Sequence, residues 1–271
     1  MRAIIIGAGR GSRLMPTTAD APKCFAEVGG RRILDWSLEA FRAAGIERIV
    51  FVGGYQIDKV RRAYPQFTFR HNHDWQNNNI LASLFFAEDL MDEPFVCCYS
   101  DTLFRPSLVK KLVGHDAHGH EQGGSSGMAV SVDTDWLSRY THRTQHPSDD
   151  AEKVTVHNGY VTRIHREIPE DQAYGEYTGV ACFSAAGAGR LRAHYHRCRQ
   201  RSGDGPFREA ATFKKAFLIH LLQEMIESGE RLAHIDSAGG YIEIDTQEDF
   251  DYARQHWNPG ARTPSGGRIE S

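Results

Sequence analysis

The stretch "IIIGAGRGSRLMPTTADAPKCFAEVGG", Ile4 to Gly30, decides the reading of this chain. Ile4, Ile5 and Ile6 are β-branched and apolar, and they run straight into glycines at 7, 9 and 11. A buried strand over Ala3–Ile6 that empties into such a loop sets bare backbone N–H groups at the carboxyl edge of a sheet. That is where α/β folds hold phosphates. Glycine permits the close approach and the positive φ. Pro16 and Pro22 then stiffen the segment and hold Arg13 and Lys23 in place, two cations for which the loop offers no evident partner.

Two familiar phosphate loops fail here. In Gly7-Ala8-Gly9-Arg10-Gly11-Ser12 the third glycine comes one place too early for the dinucleotide fingerprint, and Pro16 blocks the helix that should open at once. The second strand does not end on an acid, so a dinucleotide-dependent oxidoreductase is disfavoured. Gly-Lys-Ser/Thr is absent, which excludes a Walker loop.

Working outward, Ile33–Ala44 carries Leu34, Leu38 and Phe41 at helical spacing, and Arg48–Gly54 reads as a second strand. The short stretch Gln56–Ala63 reads as a helix, "FTFRH" as a third strand, Asn79–Leu90 as a helix, and Pro94–Asp101 as a buried fourth strand. This alternation predicts a parallel sheet with helices on both faces. The second half changes character: "GMAVSVD", "EKVTVHN", "GYVTRIHRE" and "YTGVACFS" read as short strands, with Asn158-Gly159 a hairpin turn. Helices are predicted over Ala185–Arg199, Glu209–Ser228 and Gln247–His256, and His115–Ser126 reads as a mobile surface loop. The fold class expected is therefore α/β, a Rossmann-like mixed but mainly parallel sheet flanked by helices, with a small β-rich portion.

The 271 residues carry a net charge of −3 and 40% hydrophobic residues, enough for one large domain and no general nucleic-acid surface. No apolar run approaches a membrane span. Five cysteines, without CxxC spacing, fit small core residues and a reducing cytoplasmic setting.

The series G-x-G-x-R-L-x-P-x-T, then P-K, then V-x-G, present as "GAGRGSRLMPTT", "APK" and "EVGG", resembles the signature of the nucleotidyltransferase superfamily. Those enzymes join an NTP to a phosphorylated acceptor, on the sugar-phosphate nucleotidyltransferase fold. "NNNILASL", preceded by Asn72, and "GEYTGVACF" resemble the branch that holds phosphocholine and phosphonate cytidylyltransferases. The resemblance spans about residues 1–257. It implies a single domain, with an NTP-binding part over 1–114 and an acceptor-binding part over 127–246, followed by a disordered Pro/Gly/Ser-rich tail over 258–271.

It also implies roles. Arg13 and Lys23 would be catalytic, with Asp101 and Asp245 holding Mg²⁺ as hard oxygen ligands. Ala8, Gly9, Gly11, Ser12, Asn79 and Ser83 would bind nucleotide, and Lys153, Glu176 and Tyr177 the acceptor. Arg166 falls where many relatives carry lysine. Read for structure alone, Asn79 is a helix cap, Asp245 another cap shared with Thr246, and Cys24 a packing residue. The implied substrates are an NTP, by preference CTP, and a small phosphate or phosphonate monoester of the phosphocholine or aminoethylphosphonate type. The alternative is a sugar 1-phosphate with UTP, dTTP, CTP or GTP. A non-catalytic nucleotide sensor is weighed against both, and a homodimer is a possible assembly.

Overall fold

The computed structural model describes residues 1–118, 126–141, 143–145 and 147–257. The chain runs β1 (Arg2–Gly7), the small pair β2 (Glu27–Val28) and β3 (Arg31–Arg32), α1 (Ile33–Ala43), β4 (Ile49–Gly53), α2 (Ile57–Ala63) and β5 (Thr68–His71). Next come α3 (Ile80–Phe85), β6 (Phe95–Tyr99), β7 (Thr102–Phe104), α4 (Pro106–His118), β8 (Met128–Asp133) and α5 (Trp136–Tyr140). The hairpin β9 (Lys153–His157) and β10 (Tyr160–His165) leads to β11 (Gly175–Phe183), α6 (Ala185–Ser202), α7 (Leu218–Glu227), β12 (Ala233–Ser237), β13 (Tyr241–Glu243) and α8 (Gln247–His256).

Nine strands form one sheet in the order β5-β4-β1-β6-β11-β8-β12-β10-β9, and β9 pairs back onto β11. The expected mainly parallel, Rossmann-like sheet is thereby corrected. Parallel pairing is confined to β4–β5, β1–β4, β1–β6 and β8–β12. The pairs β6–β11, β8–β11, β9–β11, β9–β10 and β10–β12 are antiparallel. The strands β11, β8, β12, β10 and β9 close on themselves as a five-stranded barrel. The physical reason lies in the connections. Asn158 and Gly159 both take positive φ, 49° and 80°, and a two-residue turn of that kind can join only antiparallel strands. Closure leaves this half without a free edge.

Both faces of β1 are buried, as its continuous apolar run requires. Ile4 and Ile6 pack with Leu81 and Leu84 of α3, while Ala3 and Ile5 pack with Leu34, Leu38 and Phe41 of α1 and with α4. Each such fully buried isoleucine contributes about 1.5–3 kcal/mol. A third cluster joins Leu14, Val28, Trp36, Leu103, Ile244, Phe250 and Trp257, and so ties the phosphate-type loop to α8.

The helix expected over Glu209–Ser228 begins only at Leu218. Before it, Phe207 and Ala210 form an isolated bridge, and Phe207 and Phe213 are buried side by side. Tertiary burial overrides the local helical preference. His115 belongs to α4 rather than to a loop, and residues 119–125, like the tail 258–271, lie outside the described residues. Among the described residues, no helix is long and apolar enough to cross a membrane.

Candidate active site

The loop after β1 opens onto a cavity of about 410 Å³ lined from both halves of the chain. Gly7, Ala8, Gly9, Gly11, Ser12, Arg13 and Lys23 form one wall, while Glu152, Arg166, Glu176 and Tyr177 lie on the barrel side. Gly11 sits at φ 67°, and a Cβ there would stand 3.0 Å from the Lys23 side chain. The residue must be glycine both for its backbone and for the lysine stem that crosses it.

Asp101 lies in the turn between β6 and β7, and Asp245 follows β13. The short antiparallel pair β7–β13 sets Thr102 opposite Glu243, and the Ile244 N–H donates to the Asp101 carbonyl at 3.0 Å. Two aspartates 144 residues apart are thereby brought to one point. The Lys23 ammonium donates to Asp101 Oδ2 at 2.8 Å and also to Asp245 Oδ1. The Arg13 guanidinium donates to Asp245 Oδ2 at 2.6 Å and lies 3.6 Å from Asp150. Burial alone would push the Lys23 ammonium down in pKa; Asp101 and Asp245 together outweigh it and hold the charge. The cap of α8 is made by Thr246, which accepts from Asp249 N–H, so the Asp245 carboxylate turns instead to the cations. Burial pushes the neighbouring Cys24 thiol up to about 12, which leaves it a packing residue.

The residues expected at a metal fit one by their chemistry. Two carboxylates converge on the same ammonium, a position a hard divalent cation also suits, and Mg²⁺ needs only one or two carboxylates besides water and phosphate oxygens. Among the described residues, no group of three or more His, Cys, Asp or Glu side chains is arranged around a metal position.

Asn79 and Ser83 line the cavity, but much of their hydrogen bonding is already spoken for. Asn79 Oδ1 caps α3 by accepting from Ile80 N–H at 2.9 Å, and its Nδ2 donates to the Lys215 carbonyl. Ser83 Oγ donates to the Asn79 carbonyl and accepts from Asn72. Asn78, exchanging two bonds with Asn72, joins them in the wall.

On the barrel side the expected acceptor residues divide. Lys153 is not among the cavity-lining residues: it donates to the Ser148 carbonyl and lies over the Trp136 ring, and burial lowers its pKa. Glu176 lines the cavity, yet one oxygen pairs with the buried Arg139 and the other accepts from the Tyr140 hydroxyl at 2.6 Å. Tyr177 lines it with its hydroxyl buried.

Glu152 went unnoticed in the sequence. It receives long hydrogen bonds from Tyr99 at 3.3 Å and from Arg166 at 3.4 Å. Burial, opposed by Arg166 and aided by Glu176, lifts its carboxyl to about 7. Strand alternation was the available signal: Glu152 shares a face with Val154 and Val156, whereas Lys153 faces the other way with Thr155.

Comparison with known proteins agrees with this geometry. Residues 3–148, more than half of the chain, match the family model of the MobA-like NTP transferase domain. CTP:phosphoglutamine cytidylyltransferase of Campylobacter jejuni is 28% identical over 93% of this chain and 98% of its own length. UTP–glucose-1-phosphate uridylyltransferase of Haloferax volcanii is 25% identical over 94% of this chain and 96% of its own. Relatives named for glucose 1-phosphate and mannose 1-phosphate stand beside relatives named for phosphoglutamine and 2-aminoethylphosphonate, and no one acceptor class dominates. The crystal structure of a putative glucose-1-phosphate thymidylyltransferase from Bacillus anthracis superposes with a TM-score of 0.74 at 16% identity, covering 94% of each chain, a likeness of fold. With the loop, the paired aspartates and the matched domain in agreement, the chain belongs to the MobA-like NTP transferase family and is a nucleotidyltransferase.

Proposed function

We propose that this enzyme joins an NTP to an acceptor carrying a phosphate or phosphonate monoester, giving a nucleoside-diphosphate-linked product and pyrophosphate. The observation that carries the reading is the meeting of Arg13, Lys23, Asp101 and Asp245 at the mouth of the glycine loop. An acceptor oxyanion is already ionised at neutral pH, so attack on the α-phosphorus needs no general base. The work left to the protein is positioning and charge neutralisation. Arg13 and the amides of Gly9–Ser12 face the β- and γ-phosphates and stabilise the departing pyrophosphate. Lys23 turns to the α-phosphate and the attacking oxygen. Asp101 and Asp245 would hold Mg²⁺, which supplies further neutralisation of the phosphate charge.

Two acceptor classes compete. A sugar 1-phosphate with UTP, dTTP, CTP or GTP is supported by relatives named for glucose 1-phosphate and mannose 1-phosphate. CTP with a small acceptor that is not a sugar phosphate is supported by the cytidylyltransferase that aligns along nearly the whole chain. Pyrophosphate release, measured for four NTPs against both acceptor classes, decides between them. Faster turnover with a hexose 1-phosphate than with any alkyl phosphate or phosphonate selects the first. Absence of pyrophosphate with every pair would overturn nucleotidyl transfer itself.

A further inference from the structure

At the barrel end of the cavity three polar groups are poorly satisfied at once. Among the described residues the Glu152 carboxylate has two long hydrogen bonds, 3.3 Å from Tyr99 and 3.4 Å from Arg166. The Tyr177 hydroxyl is buried in a residue 2% exposed; it neighbours the Tyr99 hydroxyl but makes no hydrogen bond of normal geometry among the described residues. Arg166 Nε is likewise buried without a partner, although the guanidinium stacks on Phe217 at 4.2 Å and its other nitrogens reach Glu152 and Asp150. Buried groups in this condition are rare, because each forfeits the hydrogen bonds it had in water. A cluster of them facing one cavity marks where a ligand completes the set.

We propose that Glu152 selects acceptors that carry a primary ammonium group, seated between its carboxylate and the Tyr177 hydroxyl; this rests on the transfer reading above and deepens it. The complement is chemical. An ammonium has three N–H donors and no acceptor, and the two weakly satisfied positions here can both accept, a carboxylate with long hydrogen bonds and a phenol oxygen. The charge agrees. Glu176 is paired with Arg139 yet still adds negative potential at Glu152, against which Arg166 is the opposing cation. As the ammonium takes Glu152, Arg166 is released toward the acceptor's phosphate. A quaternary ammonium has no N–H to give, so it leaves the Tyr177 hydroxyl unpaired and is disfavoured. The carbon skeleton is not fixed by this contact: an aminoalkyl phosphonate and an amino-sugar 1-phosphate both present the same group.

The groups facing Glu152 are Arg166 just after β10, Tyr99 on β6, and Glu176 and Tyr177 on β11. Arg166 stays charged and the tyrosines, raised by burial, stay neutral in the working range. The KM for an amine acceptor therefore falls as pH rises through about 7, where Glu152 ionises.

The test uses matched acceptor pairs at saturating NTP: 2-aminoethylphosphonate against propylphosphonate, glucosamine 1-phosphate against glucose 1-phosphate, and phosphoethanolamine against phosphocholine. In the wild type the primary amine should lead its partner in at least one pair by about thirtyfold or more in kcat/KM, the size of one charge-assisted hydrogen bond. Glu152→Gln should reduce that ratio to within about threefold, chiefly through KM, and abolish the pH dependence of KM. Tyr177→Phe, which deletes a hydroxyl that makes no hydrogen bond of normal geometry among the described residues, should reduce the ratio in part without lowering Tm. Equal turnover within every pair, a lead for phosphocholine over phosphoethanolamine, or an unchanged ratio in a folded Glu152→Gln overturns the proposal while pyrophosphate release continues. No release with any acceptor removes the transfer reading, and this proposal with it.

Discussion

The Lys23 ammonium stands 2.8 Å from Asp101 Oδ2 while also binding Asp245 Oδ1, so one side chain bridges the two carboxylates of the site. The lysine thus occupies, by charge, the position a divalent cation would take. Substrate phosphates are the natural agent of exchange: they draw the ammonium away as they bring negative charge to the loop. Metal and nucleotide should therefore enter together.

Lys23→Gln removes the bridging charge and leaves both carboxylates in place. Mn²⁺ binding without nucleotide, followed by calorimetry or electron paramagnetic resonance, should tighten by about tenfold or more, since even in bulk water a unit charge 4 Å away contributes about 1 kcal/mol. The same variant should lose about a hundredfold in kcat. Unchanged Mn²⁺ affinity would show that Lys23 does not hold the position against metal.

Asp101→Asn and Asp245→Asn should each reduce pyrophosphate release by roughly a hundredfold or more at limiting Mg²⁺. Each also loosens Lys23, so the Mn²⁺ titration separates lost coordination from a displaced lysine. Full activity in either variant would remove that residue from the machinery.

Arg139→Leu should be the most damaging of these substitutions to stability. The guanidinium is buried and pairs with both Asp133 and Glu176, themselves buried. Removing it leaves two carboxylates without compensation, a loss of roughly 3–5 kcal/mol that urea denaturation would measure.

Glu152 couples stability to pH. Its folded carboxyl titrates near 7, raised from the ordinary 4.5 mainly by burial. A raised pKa contributes stability that is full below the unfolded value and lost as pH climbs through the folded one. Wild type should therefore lose stability relative to Glu152→Gln between pH 4.5 and 7. A constant difference between the two across that window would contradict the assignment.

Gly179→Ala should lower stability by roughly 2–3 kcal/mol, through a strained positive φ and overpacking. Its φ is 74°, and an added Cβ would lie 2.5 Å from the Tyr99 ring, the same ring whose hydroxyl reaches Glu152. Thermal unfolding followed by circular dichroism reads the loss; a Tm equal to wild type would show the site can relax.

Local signals carried much of this reading. The run Ile4–Gly11 placed β1 and its loop, and two aspartates ending apolar runs, Asp101 and Asp245, do meet in space. The barrel was not legible, because which strands pair is a non-local choice: β11 could be seen as a strand, but not that β6, β8 and β9 all bond to it. Glu176 and Glu152 illustrate the same limit. Glu176 lies in β11 and Glu152 just before β9, and it is the packing of Arg139 and Tyr140 against Glu176 that shows Glu152 to have the weaker set of partners.

β11 hydrogen-bonds at Gly175 and Glu176 to β9, and at Val180–Phe183 to β6, along one and the same edge. A strand stitched to both halves of the molecule leaves no seam at which they could open separately. Its amides should exchange with solvent deuterium only through whole-molecule unfolding, among the slowest in the chain. The glycine loop and the barrel end of the cavity would then share a single cooperative fate, and any closure over substrate would come from side chains and loops rather than from a hinge between the two halves.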